Sequence, residues 1–370
     1  MIALGPRLRR WHAVARIELL YLMHDRPTLA IIVLVPALQI LLFGYAVRLE
    51  PRDVTIAIAR DRAEPDGPLV HAIADTGLFR LVADGLAPGE AARMVKQREA
   101  LVGVELPSSE STTDEEPTPR PRAIIDGTDP ETVRPAVLEL EAALLRHALV
   151  TPSFGHGGRV QLEWLYNPEG RTIWATAPGL SGVIVMITML LLGALTLARE
   201  RERGTWEGLL ATPVSGADAM IGKLSPYLVL GTAQAGIVLA VAHGLFELPV
   251  RGQIVTFLWA AALLALAHLV LGFALSALAR TQVQAIQAAV MFYLPSMLLS
   301  GFIFPFTGMP HWAQMLGEAL PLTHFVRVAR GVLLRGDGSA MVVAEMWPVA
   351  IFAVVAAGFA TYAYRRRLAL

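Results

Sequence analysis

Six stretches of roughly twenty residues or more run without Asp, Glu, Lys or Arg: Pro27–Val47, Thr172–Ala198, Leu224–Phe246, Gly252–Ala279, Thr281–Pro305 and Met346–Tyr364. A hydrocarbon core of about 30 Å needs about 20 helical residues, and a charge at its centre costs about 2.5–3.5 kcal/mol. Each stretch therefore predicts a membrane-crossing helix. Pro27–Val47 contains twelve Leu, Ile, Val or Phe, and is too long for the apolar region of a signal peptide, so it is expected to remain as the first span. The interval 306–345 is less apolar and interrupted by Pro310 and Pro321; it is expected to be re-entrant or interfacial. Residues 1–26 place Leu8, Trp11, Ala15, Leu19 and Leu22 at helical spacing beside Arg7, Arg9, Arg10 and Arg16, the pattern of a helix lying on the inner leaflet.

Between the first two windows, residues 48–171 change character. Val54–Arg60 alternates as a strand does, Phe79–Ala83, Leu101–Leu106 and Ala123–Ile125 read as further strands, and Pro68–Thr76, Pro88–Glu99 and Pro130–Val150 as helices. A polar, proline-rich, acidic loop occupies 107–122. The expected fold is thus an α-helical polytopic membrane protein of six spans, with an α/β extracytoplasmic domain inserted between helices 1 and 2. Counting Lys and Arg in short connections sets the orientation. With both termini inside, the cytoplasmic pieces, including 199–223 and the tail 365–370, hold thirteen and the short outer connections four.

Composition changes this picture little. The chain is 55% hydrophobic and 17% charged with zero formal charge, and no basic stripe points to nucleic acid. With no cysteine, thiolate metal sites and thiol nucleophiles are excluded. Histidines are scattered without metal-ligand spacing. Asp126 and Asp129 could hold a cation, although an Asp-Gly turn followed by a helix cap accounts for them. Gly216–Lys223 imitates a phosphate-binding loop, but five residues separate its glycines and Leu224 stands where Ser or Thr would meet magnesium. The chain is expected to bind no ATP and no cofactor itself.

The segment Ala198–Tyr227 is the most informative. A helix ending in alternating charges reaches Gly204, then Trp206, Leu209 and Leu210 form an apolar edge on a short helix, which suggests docking to a partner protein. The run Glu200–Pro213 (ERERGTWEGLLATP), with Gly222-Lys223 and Pro226-Tyr227, resembles the type-2 ABC exporter permeases, in particular their bacterial drug-efflux branch. The resemblance continues at Phe43–Ala46, Asp126–Asp129, Leu165–Pro168, Pro178-Gly179, Leu299–Pro305, Met309-Pro310, Pro321–Thr323 and Arg330-Gly331, nearly the whole chain in order.

That resemblance implies a multi-pass subunit of the bacterial inner membrane that pairs with itself or a related permease. It also implies two separate cytoplasmic ATPase subunits carrying the ATP and magnesium; members often work with a periplasmic adaptor and an outer-membrane channel. Glu202, Gly204, Thr205, Trp206, Glu207, Leu210, Thr212, Pro213, Gly222 and Lys223 would then couple the permease to the ATPase. The transport pathway is expected at the dimer interface, with Gln39, Gln282, Gln284, Gln287, Ser296 and Ser300 as candidate lining, or alternatively as groups that bond neighbouring helices. An ion-coupled secondary transporter and a membrane-anchored outer receptor are the competing readings. The first is disfavoured because the windows hold only His243 and His268 as ionisable groups of the usual kind, the second because six helices exceed what anchoring requires.

Overall fold

The computed structural model describes residues 13–17, 19–20, 54–60, 73, 76–106, 121–128, 130–150, 161–169, 171–202, 204, 216–304, 306 and 309–368. The expected first span, Pro27–Val47 with Gln39, lies outside them, as do most of 1–26 and the acidic loop. The chain divides into a sheet unit and a helical unit.

The sheet unit comprises β1 (Val54–Ala59), β2 (Phe79–Leu86), α1 (Glu90–Lys96), β3 (Val102–Glu105), β4 (Arg122–Asp126), α2 (Pro130–Val150) and β5 (Gln161–Leu165). Strand order is β2-β1-β3-β4-β5, with β3 and β4 antiparallel and the other pairs parallel. Side chains of a strand alternate between faces. Val54, Ile56 and Ile58, with Val102, Val104 and Ile125, pack on Val133, Val137, Leu140 and Leu144 of α2. Ala57 and Ile124 take the other face and meet Met94 and Val95 of α1. The alternating apolar-polar strand expected at 54–60 is thus covered on both sides, and only Thr55 of β1 is not buried. Its hydroxyl accepts the Leu101 amide at 3.0 Å, which ties β1 to the start of β3. Each fully buried Val or Ile here contributes about 1.5–3 kcal/mol. At the rim, Arg60 donates twice to Asp84, at 2.8 and 2.7 Å. That guanidinium holds the Asp84 carboxyl below its ordinary range.

Two of the quoted motifs meet at the end of the sheet. Asp126 is buried, and its Oδ1 accepts the Thr128 amide at 2.9 Å, an Asp-Gly turn that uses the carboxylate locally rather than holding it for a cation; Asp129 lies outside the described residues. Gly127 donates to Leu165 O at 2.9 Å, so closely that a Cβ on it would stand 2.5 Å from that oxygen. Fully buried Asn167 accepts the Arg171 amide through Oδ1 and donates to Arg171 O through Nδ2, both at 3.0 Å. Replacing Asn167 with alanine removes both hydrogen bonds from the half-buried Arg171 backbone, at about 0.5–1.5 kcal/mol each. A lower melting temperature and faster proteolysis near residue 167 of the purified chain are the expected results; an unchanged melt would refute this role.

The helical unit is built from α3 (Thr172–Glu202), α4 (Gly216–Phe246), α5 (Ile254–Leu278), α6 (Gln282–Leu299), α7 (His311–Glu318), α8 (Pro321–Arg330), a π-turn at Gly331–Arg335, and α9 (Ser339–Leu368). Five of the described helices, α3, α4, α5, α6 and α9, are long and apolar enough to cross a membrane. Helix α3 has 31 residues, about 46 Å at 1.5 Å per residue, so it outruns a hydrocarbon core by more than two turns. Helix α5 sits at the centre, with α9, α4 and α8 packed along it. It meets α3 at a crossing of two glycines. A Cβ on Gly193 would come within 2.3 Å of Leu269 O, and one on Gly272 within 2.3 Å of Leu190 O. Small residues at such crossings let backbones approach where lipid supplies no hydrophobic drive.

Within 306–345, expected to be re-entrant or interfacial, α8 is enclosed by protein. Leu322, Phe325 and Val326 are buried, and Phe325 fills the space above Gly182 of α3 while tilting against Phe257 of α5 at 5.8 Å. Its polar residues join three elements: Arg327 Nη1 donates to Glu318 of α7 and Glu345 of α9, both at 3.1 Å. His324 Nδ1 lies 3.1 Å from Glu345 Oε1, and its Nε2 is 2.9 Å from Glu318 O.

Burial pushes the His324 pKa down, but the Glu345 hydrogen bond, the Glu318 carbonyl and the Glu345 charge outweigh it, and the value ends above the ordinary 6.5. A raised histidine pKa stabilises the fold fully below the unfolded value, about 6.5, and that contribution disappears as pH rises through the higher folded value. Thermal melts of the protein and of H324Q are therefore expected to differ most near pH 6 and to converge above pH 8. A gap that widens with pH would contradict the assignment.

Candidate functional site

The last turn of α3 carries Glu200, Arg201 and Glu202, and each side chain reaches a different element. Glu200 forms an ion pair with Lys223 in the first turns of α4, whose ammonium is almost wholly buried. Arg201 turns toward the end of α5, where Nη1 donates to Ala279 O at 2.5 Å and Nη2 to Ala277 O at 3.3 Å. Glu202 turns toward the start of α6, accepting the Gln282 amide at 2.7 Å and the Gln282 side chain at 2.5 Å.

The chemistry of helix ends explains this arrangement. The last carbonyls of α5 and the first amides of α6 lack intrahelical partners. A cation suits the negative end of a helix and an anion the positive end. Two consecutive residues of opposite sign thus cap both ends of one short helix–turn–helix. The turn has its own support: Thr281 Oγ1 accepts the Gln284 amide at 3.2 Å, and Gln284 Oε1 accepts the Arg280 amide at 2.9 Å. One turn earlier, buried Ser276 Oγ lies 3.0 and 2.9 Å from the amides of Leu197 and Ala198. On the α4 side, Pro226 lacks an N–H to return to Gly222 O, and Ser225 Oγ donates to that carbonyl at 3.2 Å.

Of the residues expected to couple the permease to an ATPase, Glu202, Gly204, Gly222 and Lys223 are described and Thr205, Trp206, Glu207, Leu210, Thr212 and Pro213 lie outside the described residues. Gly204 has φ +69°, a left-handed geometry that glycine adopts freely at the end of a helix. Glu200, Arg201 and Glu202 thus make the end of α3 an anchored joint. The mimic of a phosphate loop, Gly216–Lys223, is the opening of helix α4.

The candidate lining residues separate. Gln282 and Gln284 hold the α5–α6 turn. Ser296 Oγ donates to Phe292 O at 2.7 Å and Ser300 Oγ to Met297 O at 2.9 Å. Gln287 is exposed on α6, along the face that carries Val283, Val290, Met291 and Leu294. Sequence reasoning missed Arg201, Ser276 and Asn167 as organising residues. Opposite charges next to each other at a predicted helix end could have indicated Arg201, whereas nothing local marks Ser276. Among the described residues, no group of three or more His, Asp or Glu could hold a metal ion.

Comparison with known proteins agrees with this organisation. The profile of the ABC-2 type transporter family matches residues 149–334, half of the chain. The chain is 30% identical over 365 residues to the probable multidrug ABC transporter permease YbhR of Escherichia coli (strain K12), covering 97% of this chain and 98% of that protein. It is 25% identical over 372 residues to the probable multidrug ABC transporter permease YbhS of the same organism, covering 97% of this chain and 98% of that one. The inner membrane transport permease YhhJ, also from Escherichia coli (strain K12), shares 33% identity over 187 residues, 50% of this chain and 48% of that protein. Relatives of matching length are permeases, transport components and not enzymes, and this chain belongs to the ABC-2 type transporter permease family.

Proposed function

We propose that the chain is the membrane subunit of an ATP-driven exporter for hydrophobic compounds, drugs or lipids among them. Two permease subunits, identical or related, would assemble with two separate ATPase subunits that carry ATP and magnesium. The protein would lie in the bacterial inner membrane with both termini and the 199–223 segment cytoplasmic and the sheet unit outside. The observation that carries the reading is the anchored joint: Glu200 and Lys223 are tied together on either side of the segment with the apolar edge Trp206, Leu209 and Leu210, so a force on that segment reaches three helices. Full-length likeness to permeases named for probable multidrug transport supports the substrate class, as does the apolar open face of α6. A periplasmic adaptor and an outer-membrane channel remain further partners to look for.

The test is co-purification of the chain with an ABC ATPase encoded beside it, and ATP-dependent dye accumulation in inverted vesicles containing both. Association and transport are expected for the unaltered chain and loss of both for Glu207→Arg. If Glu207→Arg binds and transports normally, the coupling segment lies elsewhere; if no ATPase binds, the reading as an ATP-driven subunit fails.

A further inference from the structure

Resting on that reading, the geometry points to Arg201 and Glu202 as positioning residues that deliver the ATPase-driven stroke to the α5–α6 turn, with α6 as the helix that moves. Three independent observations support it. First, both residues precede the proposed docking segment directly, so displacement of that segment pulls on them before any other side chain. Second, both side chains reach the same short stretch, residues 277–282, where Arg201 donates to Ala277 O and Ala279 O and Glu202 accepts from two donors of Gln282. Charges that match the two helix ends resist separation more strongly than neutral contacts would.

Third, α3 and α5 cannot easily part, because backbone meets backbone at Gly193 and Gly272 and Ser276 bridges them one turn away. Helix α6 meets that pair through the small side chains of Ala285 and Ala289, packed with Leu190, Ala194 and Ala198, and among the described residues not through a backbone crossing. Only Ala285, Ala289 and Ser296 of its side chains are buried, while Val283 and Met291 are 63% and 79% exposed. An element with few buried contacts is the one displaced at least cost. Its N-terminal end is held by the Glu202 carboxylate, the Thr281 cap and the packing of Ala285. A stroke entering at Glu202 therefore moves α6 against an α3–α5 pair that stays together, a hinge at residues 279–281 between packed helices.

The experiment uses the full chain with its ATPase in nanodiscs. The protein has no cysteine, so M291C on α6 and V229C on exposed α4 can be spin-labelled as a unique pair, diluted with unlabelled chain. Addition of ATP and vanadate is expected to shift the distance between the labels. In R201L and E202A the shift is expected to be lost. In Q282A, which keeps the backbone donor, it should require about tenfold more nucleotide, the scale of one charge-assisted hydrogen bond.

The resting distance and the melting temperature of Q282A separate transmission from damage: a merely structural role would change those and leave the nucleotide-dependent shift in place. Should α6 keep its full shift in both R201L and E202A, or stay still in the unaltered complex, the strut is overturned. If R201L fails to fold, E202A and Q282A decide the matter. Absence of any ATPase bound to the unaltered chain would sink the proposed function itself, and the strut with it, and is distinguishable because it appears before a label is introduced.

Discussion

Replacing Lys223 with methionine is expected to destabilise the protein by about 3 kcal/mol or more, while the double replacement Glu200→Gln, Lys223→Met recovers most of the loss. The Lys223 side chain is 5% exposed and pairs with Glu200, whose side chain is 24% exposed. Taking away one member of an enclosed ion pair costs about 3–5 kcal/mol, because the other charge keeps its desolvation penalty without its counterion. Replacing both members by uncharged groups of similar volume is commonly neutral. The measurement is thermal unfolding of the detergent-purified chain, with the single variant melting well below the double. Equal loss in both would mean that packing of the lysine stem, not charge, holds α4 to α3.

Gly193→Val is expected to be at least as damaging, for a steric reason. The first carbon of any side chain there lands 2.3 Å from Leu269 O and 2.9 Å from the Phe273 amide. Both are backbone atoms of α5 and cannot rotate aside, so the helices must separate, and the cluster of Leu190, Ala194 and Ala289 beside the crossing opens with them. Overpacking of a filled core costs about 1–3 kcal/mol, occasionally more, and the backbone contact places this site at the top of that range. Gly236→Ala is the control: its Cβ would meet only Leu258 Cδ2 at 3.6 Å, and the better helix former should add up to about 1 kcal/mol. Folded yield and melting temperature should fall for the first and hold or rise for the second. A Gly193→Val chain as stable as its parent would show that the crossing is looser than described.

These two sites explain what could be read in the sequence. Charge-free windows placed the apolar body of every described spanning helix, because the cost of a charge in hydrocarbon depends on the residue alone. They misplaced the ends, because the cost of a charge next to protein depends on its partner. Helix α3 continues past Ala198 through Glu200 and Arg201, α4 begins at Gly216 ahead of Lys223, and α9 begins at Ser339 ahead of Glu345. Each of these charges is matched by a group from another element, which no local window contains. Strand β5 is absent from the sequence reading for a different reason: Leu162 and Trp164 alternate with Gln161 and Glu163 as an edge strand does, but the run is only five residues long. The clamp itself was half visible. The sequence motif points to Glu202 and Lys223, yet their partners Gln282 and Glu200 follow from the fold, and the sequence alone leaves Gln282 open between pathway lining and a bond to a neighbouring helix.

The central place of α5 has a consequence for how the protein is made. It is apolar enough to enter the bilayer by itself, yet its finished surroundings are other helices, with Phe257, Leu264 and Phe273 all enclosed. Its main neighbour, α9, comes last in the chain. At about 5–20 residues per second, the ribosome needs about 4–17 s to go from Leu278 to Tyr364. Through that interval the side of α5 that α9 will cover faces lipid or a chaperone, and Phe273 still lacks its ring contact with Tyr364 of α9, 6.0 Å between centroids in the finished fold. A chain stopped anywhere before α9 would leave that side open for good, which makes α9 the natural checkpoint for membrane quality control.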